Sequence, residues 1–432
     1  MNKKYYPALD ETLYTATLPN GLQVLVVPKP GFSKKQAYFV TDFGAIHTDF
    51  FADGQKQTVP AGIAHYLEHK MFELPGRDVS AEFAAMGAMV NAFTSYDLTA
   101  YYVSCTENFE ECLRLLVEFV STPYFPAESV ERERGIIDQE IGMNADDPNT
   151  QIFEKLMTAM YRQHPIRVPI LGTESTIREI TPETLELCHR AFYHPGNMLL
   201  CVVGNVDPEA VCAIAAEVLG DTPGQPGEKA PLPTEEMTCP QQVIRATMDI
   251  AMPMFTIGFK CPPLDKGEEA IRQEFIGDLA SEVLFGEASE LYLQMYGDGI
   301  IDSSFGGGYE TTDGGALMNC GGDSYQPEAV RDALLAQAQR IWEEGIDETA
   351  FLRLKRSAMG RRIRELDSFD STCFRLCAYA MSDFDYFRFP ELYNQIQAEE
   401  VRQFIHQVIR PEGCSLSVIE PAAAKEEAYE SQ

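Results

Sequence analysis

The chain has 432 residues, of which 45% are hydrophobic and 23% charged, a globular composition long enough for two domains of about 200 residues each. Its formal net charge of −32 argues against nucleic-acid binding, because the phosphates would be repelled. No apolar run reaches the roughly 20 residues of a membrane-spanning helix, and the polar N-terminus is unlike a signal peptide. We therefore expect a cytoplasmic protein that binds neither nucleic acid nor membrane.

The first informative motif is AGIAHYLEHKMFE (61–73), which we predict to be helical. His65 and His69 lie four residues apart, so both imidazoles point from one face of a helix and can hold one Zn²⁺. Glu68 is turned by about 100° from His69, a direction suited to reaching a metal-bound water and taking its proton. The motif is the inverse of HExxH and is known as a zinc-peptidase signature. The alternative is a half-buried helix with two hydrogen-bonded structural histidines.

A second segment, 79–105, reads as a helix, a glycine turn and two strands. A third, 128–145, reads as one long helix with several carboxylates. On a helical wheel, Glu140 and Glu133 fall on the same side as the isoleucines at 136, 137 and 141, where a carboxylate is costly unless it is paired. We therefore expect Glu140 to be the third metal ligand and Glu133 to support the site. The alternative is salt bridging to Arg132 or Arg134.

A stretch rich in proline and glycine at 219–240 indicates a linker. We predict an N-terminal metal-binding domain over 1–222, a linker over 223–238 and a homologous C-terminal domain over 239–432. Three segment pairs recur in the same order at offsets of about 209 to 215 residues, which indicates a duplicated α+β domain. Each domain is expected to be a mostly antiparallel sheet with helices packed on one side. The counterpart of the histidine helix, 276–285, has no histidine, so the fold itself does not require one.

These motifs resemble the pitrilysin/insulinase-type zinc metallopeptidases, most closely a bacterial subgroup similar to mitochondrial processing peptidase. The family's HxxEH helix is matched by His65, Glu68 and His69, and its two glutamates seven residues apart by Glu133 and Glu140. The family pattern of asparagine, alanine and threonine before a second strand is matched by NAFTSYDLTAYYVSC (91–105). The resemblance implies one half of a peptidase clamshell with Zn²⁺ as cofactor. It also implies that substrate adds to an edge strand through Asn91, Ala92, Phe93 and Thr94.

One departure concerns the second domain, where the family's self-sufficient members carry an arginine and a tyrosine that hold substrate. Here the arginine position is Tyr296, and the tyrosine position falls on Ile301 or Asp302. The resemblance then implies a heterodimer with a homologous subunit that lacks zinc and supplies those residues. A homodimer is the alternative assembly.

The sequence therefore predicts a zinc-dependent endopeptidase that cuts peptides or small unfolded proteins, with Glu68 as its catalytic base. The alternative from another class is a non-catalytic peptide-binding or structural subunit of the same fold. A non-peptidase metal hydrolase has no supporting motif in the sequence.

Overall fold

The computed structural model describes residues 1–221, 224–264 and 266–422. We call the elements up to residue 219 the first domain and those from residue 243 the second domain. The strands of the first domain are β1 Asn2–Tyr6, β2 Glu11–Thr17, β3 Gln23–Pro28, β4 Lys35–Thr41, β5 Asp49–Ala52, β6 Gln55–Thr58, β7 Glu73–Leu74, β8 Arg77–Asp78, β9 Met89–Thr94, β10 Thr99–Cys105 and β11 Met198–Gly204. Its helices are α1 Ile63–Met71, α2 Val79–Ala85, α3 Phe109–Ser121, α4 Ala127–Asp146, α5 Pro148–Met160, α6 Glu174–Ile177, α7 Pro182–Phe192 and α8 Pro208–Leu219.

A short strand, β12 Glu228–Lys229, lies between the domains. The strands of the second domain are β13 Val243–Met248, β14 Met254–Cys261, β15 Gly306–Thr312, β16 Gly315–Asp323 and β17 Cys414–Pro421. Its helices are α9 Glu268–Phe285, α10 Glu290–Gly297, α11 Pro327–Glu344, α12 Glu348–Glu365, α13 Phe369–Met381, α14 Phe389–Gln395 and α15 Ala398–Val408. No helix in the three described ranges is both long enough and apolar enough to cross a membrane.

Five strands of the first main sheet have the same topology as the five strands of the second, which confirms the predicted duplication. The first sheet has the strand order β1-β2-β3-β11-β4-β10-β9, and the second has β13-β17-β14-β16-β15. Strand β11 runs parallel to β3, and β17 runs parallel to β13, while the remaining pairs of both sheets are antiparallel. Each domain is thus a mostly antiparallel α+β unit, as expected, and β9 and β15 occupy equivalent edges.

The sheets have both faces covered, which explains the continuous apolar strands near their centres. Every residue of β11, with the sequence MLLCVVG, is buried. One face of the first sheet packs on its own helices, and the other contacts α13 of the second domain through β4 and β11. Helix α5 of the first domain in turn packs on β14 and β17. This exchange of helices adds a layer to the predicted one-sided packing and joins both domains in one core.

The predicted linker is attached to the first domain rather than extended between the two units. Strand β12 pairs with β5, so that Glu228 lies opposite Phe51. Further along, the Glu235 carboxylate accepts hydrogen bonds from the backbone N–H groups of residues 162, 163 and 164 and faces the buried Lys260 ammonium at 3.3 Å. The exact domain boundaries stay predictions, and residues 222 and 223, between which the first boundary falls, lie outside the described ranges.

Glu235 should make the stability of the protein depend on pH. Although burial opposes its charge, the backbone N–H donors and Lys260 lower the pKa of Glu235 from 4.5 to about 2. The stabilisation is therefore complete above pH 4.5 and is lost as the pH falls towards 2. We expect Glu235→Gln to cost about 2 kcal/mol at pH 7, with the difference from wild type shrinking between pH 5 and 3. Urea unfolding at several pH values measures this, and a pH-independent difference would contradict it.

Candidate metal centre

Helix α1 carries the HxxEH motif and begins at a backbone position that only glycine satisfies well. Gly62 precedes the helix with φ of 90°, and a Cβ atom there would lie 2.4 Å from the carbonyl oxygen of Leu171. The close approach brings the loop around Leu171 against the start of α1. One wall of the site is therefore set by backbone geometry.

Buried polar contacts near the N-terminal end of α4 fix this helix against α1. The Tyr66 hydroxyl donates a hydrogen bond to the backbone carbonyl of Val130, and the Lys70 ammonium donates to Ser129. Lys70 is only 1% exposed, and its charge is paired with Glu73. Because a buried ammonium without a partner is costly, these contacts hold the two helices in one register.

This register brings Glu140 to the two histidines. The Nε2 atoms of His65 and His69 lie 3.8 and 3.6 Å from the same oxygen, Oε2 of Glu140. Among the described residues, these three form the one group of potential metal ligands whose atoms all lie within 4.8 Å of one another. The structure thus places the three sequence-predicted ligands together.

The spacing of these atoms fits a metal ion better than it fits direct hydrogen bonding. Separations of 3.6 to 3.8 Å exceed the usual N–H···O distance of up to about 3.2 Å. Two ligands in a tetrahedral zinc site, each about 2.05 Å from the ion, are about 3.3 Å apart. Two imidazoles and a carboxylate are also a donor set that zinc accepts, and a fourth position is left for water or substrate.

Glu133 lies behind His69, where it can orient the ring. Its Oε1 atom is 3.0 Å from Nδ1 of His69, so a proton held on Nδ1 leaves Nε2 free to face Glu140. The arginines that offered an alternative explanation are engaged elsewhere, since Arg132 faces Glu73 and Arg134 pairs with Glu131. Salt bridging to these arginines therefore does not account for Glu133.

The predicted apolar face of α4 is wrong at one residue. Ile137 is fully buried and Ile141 half-buried, but Ile136 is 46% exposed. The buried stripe of α4 runs through Val130 and Ile137, which are two turns apart, and Ile136 is turned away from it by about 100°. Glu133 and Glu140 each follow a buried residue of this stripe by three positions, so they lie at its border beside α1.

The protonation properties of the two histidines differ. Burial, together with the nearby His69 charge, lowers the pKa of His65 to about 3, so this ring is neutral and able to bind a metal. Burial also opposes the charge of His69, but the carboxylates of Glu133, Glu140 and Glu68 outweigh it and raise its pKa. The surrounding carboxylates therefore favour positive charge near His69.

Glu68 lies beside the ligands but faces a different direction. It is 8% exposed, and its Oε2 atom accepts a hydrogen bond of 2.8 Å from the Thr94 hydroxyl. Burial raises the pKa of Glu68, while the Thr94 bond and the His69 charge oppose that rise. The contact between Thr94 and Glu68 could not be read from the sequence, where Thr94 was expected only as a strand residue for substrate.

The predicted substrate strand borders the same site. Asn91, Ala92, Phe93 and Thr94 belong to β9, which is the last strand of its sheet and pairs only with β10 on its inner side. A cavity of about 460 Å³ lies between this strand and α5. It is lined by His65, Glu68, Ala92, Phe93, Thr94, Tyr96, Asn144, Thr150, Phe153, Glu154, Ile170 and Leu171. The contribution of α5 and of the loop at 170–171 was not predicted, because no local pattern brings those segments to β9.

In the second domain, ion pairs link the equivalent pair of helices. Helices α9 and α12 pack together as α1 and α4 do, and α9 contains the histidine-free segment 276–285. Buried Arg362 from α12 contacts Asp278 at 2.5 Å and Glu274 at 3.4 Å, both on α9. Ion pairs, rather than a group of two histidines and a glutamate, therefore join these two helices.

The segment 288–305 of the second domain was expected to lack the arginine and the tyrosine that hold substrate in the family. The structure shows what the residues at those two positions do instead. Tyr296, at the arginine position, is 52% exposed and stacks on Tyr292. Ile301 is buried, and the Asp302 carboxylate accepts hydrogen bonds from the backbone and hydroxyl of Ser304.

Comparison with known proteins identifies the family of the chain. Residues 55–174 match the family model described as insulinase (peptidase family M16), and residues 179–358 match the M16 inactive domain. The chain is 36% identical to YmfH of Bacillus subtilis, described as an uncharacterized zinc protease, over 96% of this chain and 98% of that protein.

Solved structures give the same result. The crystal structure of a putative M16-like peptidase from Alicyclobacillus acidocaldarius superposes with a TM-score of 0.92 at 32% identity, covering 96% of this chain and 99% of that one. A protease from Helicobacter pylori shares the fold, with a TM-score of 0.79 at 19% identity over 95% of this chain and 99% of that one. The chain belongs to the insulinase family of peptidases, family M16.

Proposed function

We propose that the protein is a zinc-dependent endopeptidase of peptides or small unfolded proteins. The observation that carries the proposal is the convergence of His65 Nε2, His69 Nε2 and Glu140 Oε2, with the buried Glu68 carboxylate beside them. Zinc in such a site supplies Lewis-acid activation of water and of the scissile carbonyl. The names of the relatives, which are described as zinc proteases, support the same metal and reaction class.

Glu68 is the residue we assign to proton transfer. Its carboxylate is buried and oriented by the Thr94 hydroxyl, so that it can accept a proton from the attacking water and return it to the leaving amine. The raised pKa of Glu68 suits a group that must both accept and release a proton. Thr94 is thereby a link between the acid–base group and the edge of the sheet.

The exposed edge of β9 provides a place for the substrate backbone. An extended peptide can add to such an edge by main-chain hydrogen bonds, which recognise an unfolded chain without requiring one sequence. Ala92 and Thr94, on alternate positions of β9, line the cavity next to Glu68. A peptide added to β9 would therefore lie beside the acid–base residue.

We further propose that the active form is a heterodimer with a homologous subunit that lacks zinc. Support comes from the second domain, where Tyr296, Ile301 and Asp302 do not supply the expected arginine and tyrosine. Ile136 and Met143, which lie beside Glu140 on α4, are 46% and 71% exposed. They form an apolar surface that the second half of the clamshell, the partner subunit, would cover. The eleven free cysteines support a reducing compartment such as the cytoplasm.

A non-catalytic peptide-binding subunit is the second candidate function. Two observations favour a non-catalytic role for the second domain alone. Residues 179–358 match a family model described as an inactive domain, and α9 contains no histidine. The first domain, in contrast, contains the complete set of ligands and the acid–base residue.

Glu68→Gln separates catalysis from metal binding. We expect peptide hydrolysis to fall by at least about 100-fold, because the amide cannot accept the proton, while the zinc content is unchanged. Turnover of a fluorogenic peptide library by the chain together with its partner, measured beside elemental analysis, tests this. Glu131→Gln, an exposed carboxylate on α4, is the matched control and should leave both quantities unchanged. Undiminished hydrolysis by Glu68→Gln would remove Glu68 from this role.

The metal site predicts graded effects on zinc affinity. The wild-type chain should bind about one zinc, and His69→Ala should abolish stoichiometric binding because it removes one of three ligands. Glu133→Gln should keep the site but weaken it about 10- to 100-fold, since the group acts through the His69 ring. Competition with a chromogenic chelator measures both affinities. Equal affinities for wild type and His69→Ala would contradict the assignment.

A further inference from the structure

The strand β9 belongs to a tight hairpin whose turn faces the second domain. Thr94 pairs with Thr99 across the hairpin, and the backbone N–H of Ser95 donates to the carbonyl of Leu98 at 2.8 Å. Asp97 lies in this turn, three residues after Thr94. Because the turn is short and closed, a displacement of Asp97 is transmitted to the end of β9 that contacts Glu68.

Asp97 connects this turn to the corresponding hairpin of the second domain. The Thr312 hydroxyl donates to Oδ1 of Asp97 at 2.5 Å, and the backbone N–H of Asp313 donates to the same oxygen at 2.9 Å. Asp97 and Thr312 are 215 residues apart, which matches the offset of the duplication. The equivalent turns of the two domains therefore meet each other at this contact.

The turn of the second domain is itself held in place by charged groups. The Asp313 carboxylate lies 3.3 Å from both His47 Nε2 and the Lys229 ammonium. Lys229 also contacts Asp42 at 2.7 Å, and Lys266 contacts the other oxygen of Asp42. Asp97 thus binds a partner that is anchored to the first domain and to the linker, rather than a mobile loop tip.

A second contact from the same domain reaches β9 directly. The ring of Phe374, on α13, packs edge-to-face on Phe93 with centroids 5.8 Å apart. Since β9 has strand partners on one side only, such contacts decide how firmly its free edge is held. The second domain, whose α9 carries no histidine, therefore supports the strand to which substrate is expected to add.

We propose that Asp97 is a positioning residue, which holds the substrate strand in place by joining its hairpin to the second domain. This inference rests on the proposed function, in which β9 pairs with the peptide and Thr94 orients Glu68. The second domain then contributes to catalysis by restraining the first domain, although it has no metal ligands of its own at the equivalent helices.

The chemistry of the contact provides a conservative variant. Both partners of Asp97 are hydrogen-bond donors to one oxygen, so an asparagine carbonyl can accept the same two bonds. Burial and the nearby Asp313 charge raise the pKa of Asp97 to about 6, and a neutral amide is therefore a tolerable substitute. Asp97→Asn should behave like wild type, whereas Asp97→Ala removes the acceptor.

The opposite edge of the same sheet provides a matched control. Asp385 of the second domain accepts hydrogen bonds from the Lys4 ammonium at 2.7 Å and the Tyr6 hydroxyl at 2.5 Å, both on β1. Strands β1 and β9 are the two ends of one sheet. Asp385→Ala therefore removes a comparable interdomain contact far from the site, and its thermal unfolding reports the effect of weakened domain docking alone.

Hydrogen exchange and steady-state kinetics test the proposal together. In Asp97→Ala we expect exchange of the amides in residues 89–98 to accelerate about tenfold, as for loss of one to two hydrogen bonds. The KM for peptides should rise by a similar factor with kcat changed less than about threefold, and Asp97→Asn should restore both. Thr312→Val should give a smaller shift of the same kind and replaces Asp97→Ala if that variant does not fold.

Three results would overturn the proposal. The first is that amide hydrogen exchange in residues 89–98 is the same in Asp97→Ala as in the wild type. The second is that Asp385→Ala accelerates exchange in residues 89–98 as much as Asp97→Ala does. The third is that Asp97→Asn does not exchange at the wild-type rate. Because exchange is measured without substrate, it tests the positioning of β9 even if no peptide is cut. A lack of all cleavage with altered exchange would instead count against the proposed function and leave the positioning role supported.

Discussion

The packing of α4 against α1 is the contact on which the candidate site depends. Tyr66 and Lys70 of α1 form hydrogen bonds with Val130 and Ser129 near the start of α4. Near the middle of α4, the side chain of Ile137 is fully buried. With the two helices held in this register, Glu140 reaches both histidine Nε2 atoms from its own helix. The three ligands come from two rigid helices, which is the arrangement that a preorganised metal site requires.

The duplicated fold adds a frame around this pair of helices. Each domain has the same five-strand arrangement, and the exchange of α5 and α13 covers the outer face of the other domain's sheet. In the second domain, an ion-pair cluster around Arg362 links the equivalent helices. In the described part of the chain, one copy of the duplicated fold thus carries the candidate metal centre and the other does not, since the packing of the fold does not need the histidines.

Local patterns were sufficient for much of this description. The periodicity of 128–145 predicted α4 almost to its ends, and the repeat offsets predicted the duplicated α+β topology. The wheel placed Ile136 on the buried face because it weighed all isoleucines equally, whereas the real stripe is centred on Val130 and Ile137. A single sequence cannot tell which apolar residues at the border of a helix face will find a neighbour.

Contacts between distant segments could not be predicted in this way. Nothing in the local sequence brings Asp97 to Thr312, Thr94 to Glu68, or α5 to the second sheet, because these pairings depend on how whole domains dock. They are also the contacts that connect the candidate metal centre with the rest of the molecule. The residues proposed for metal binding and proton transfer could be predicted from the sequence, but the contacts that hold them in place could not.

Removing and restoring the metal tests whether the protein is a zinc-dependent endopeptidase. The chain, together with a homologous zinc-less subunit from the same genome, is stripped of metal with a chelator and then given increasing zinc while the hydrolysis of a mixed peptide library is measured. We expect no hydrolysis by the stripped protein and full recovery at about one zinc per chain. Hydrolysis that persists without metal, or a zinc-loaded pair that cuts no peptide, would contradict it.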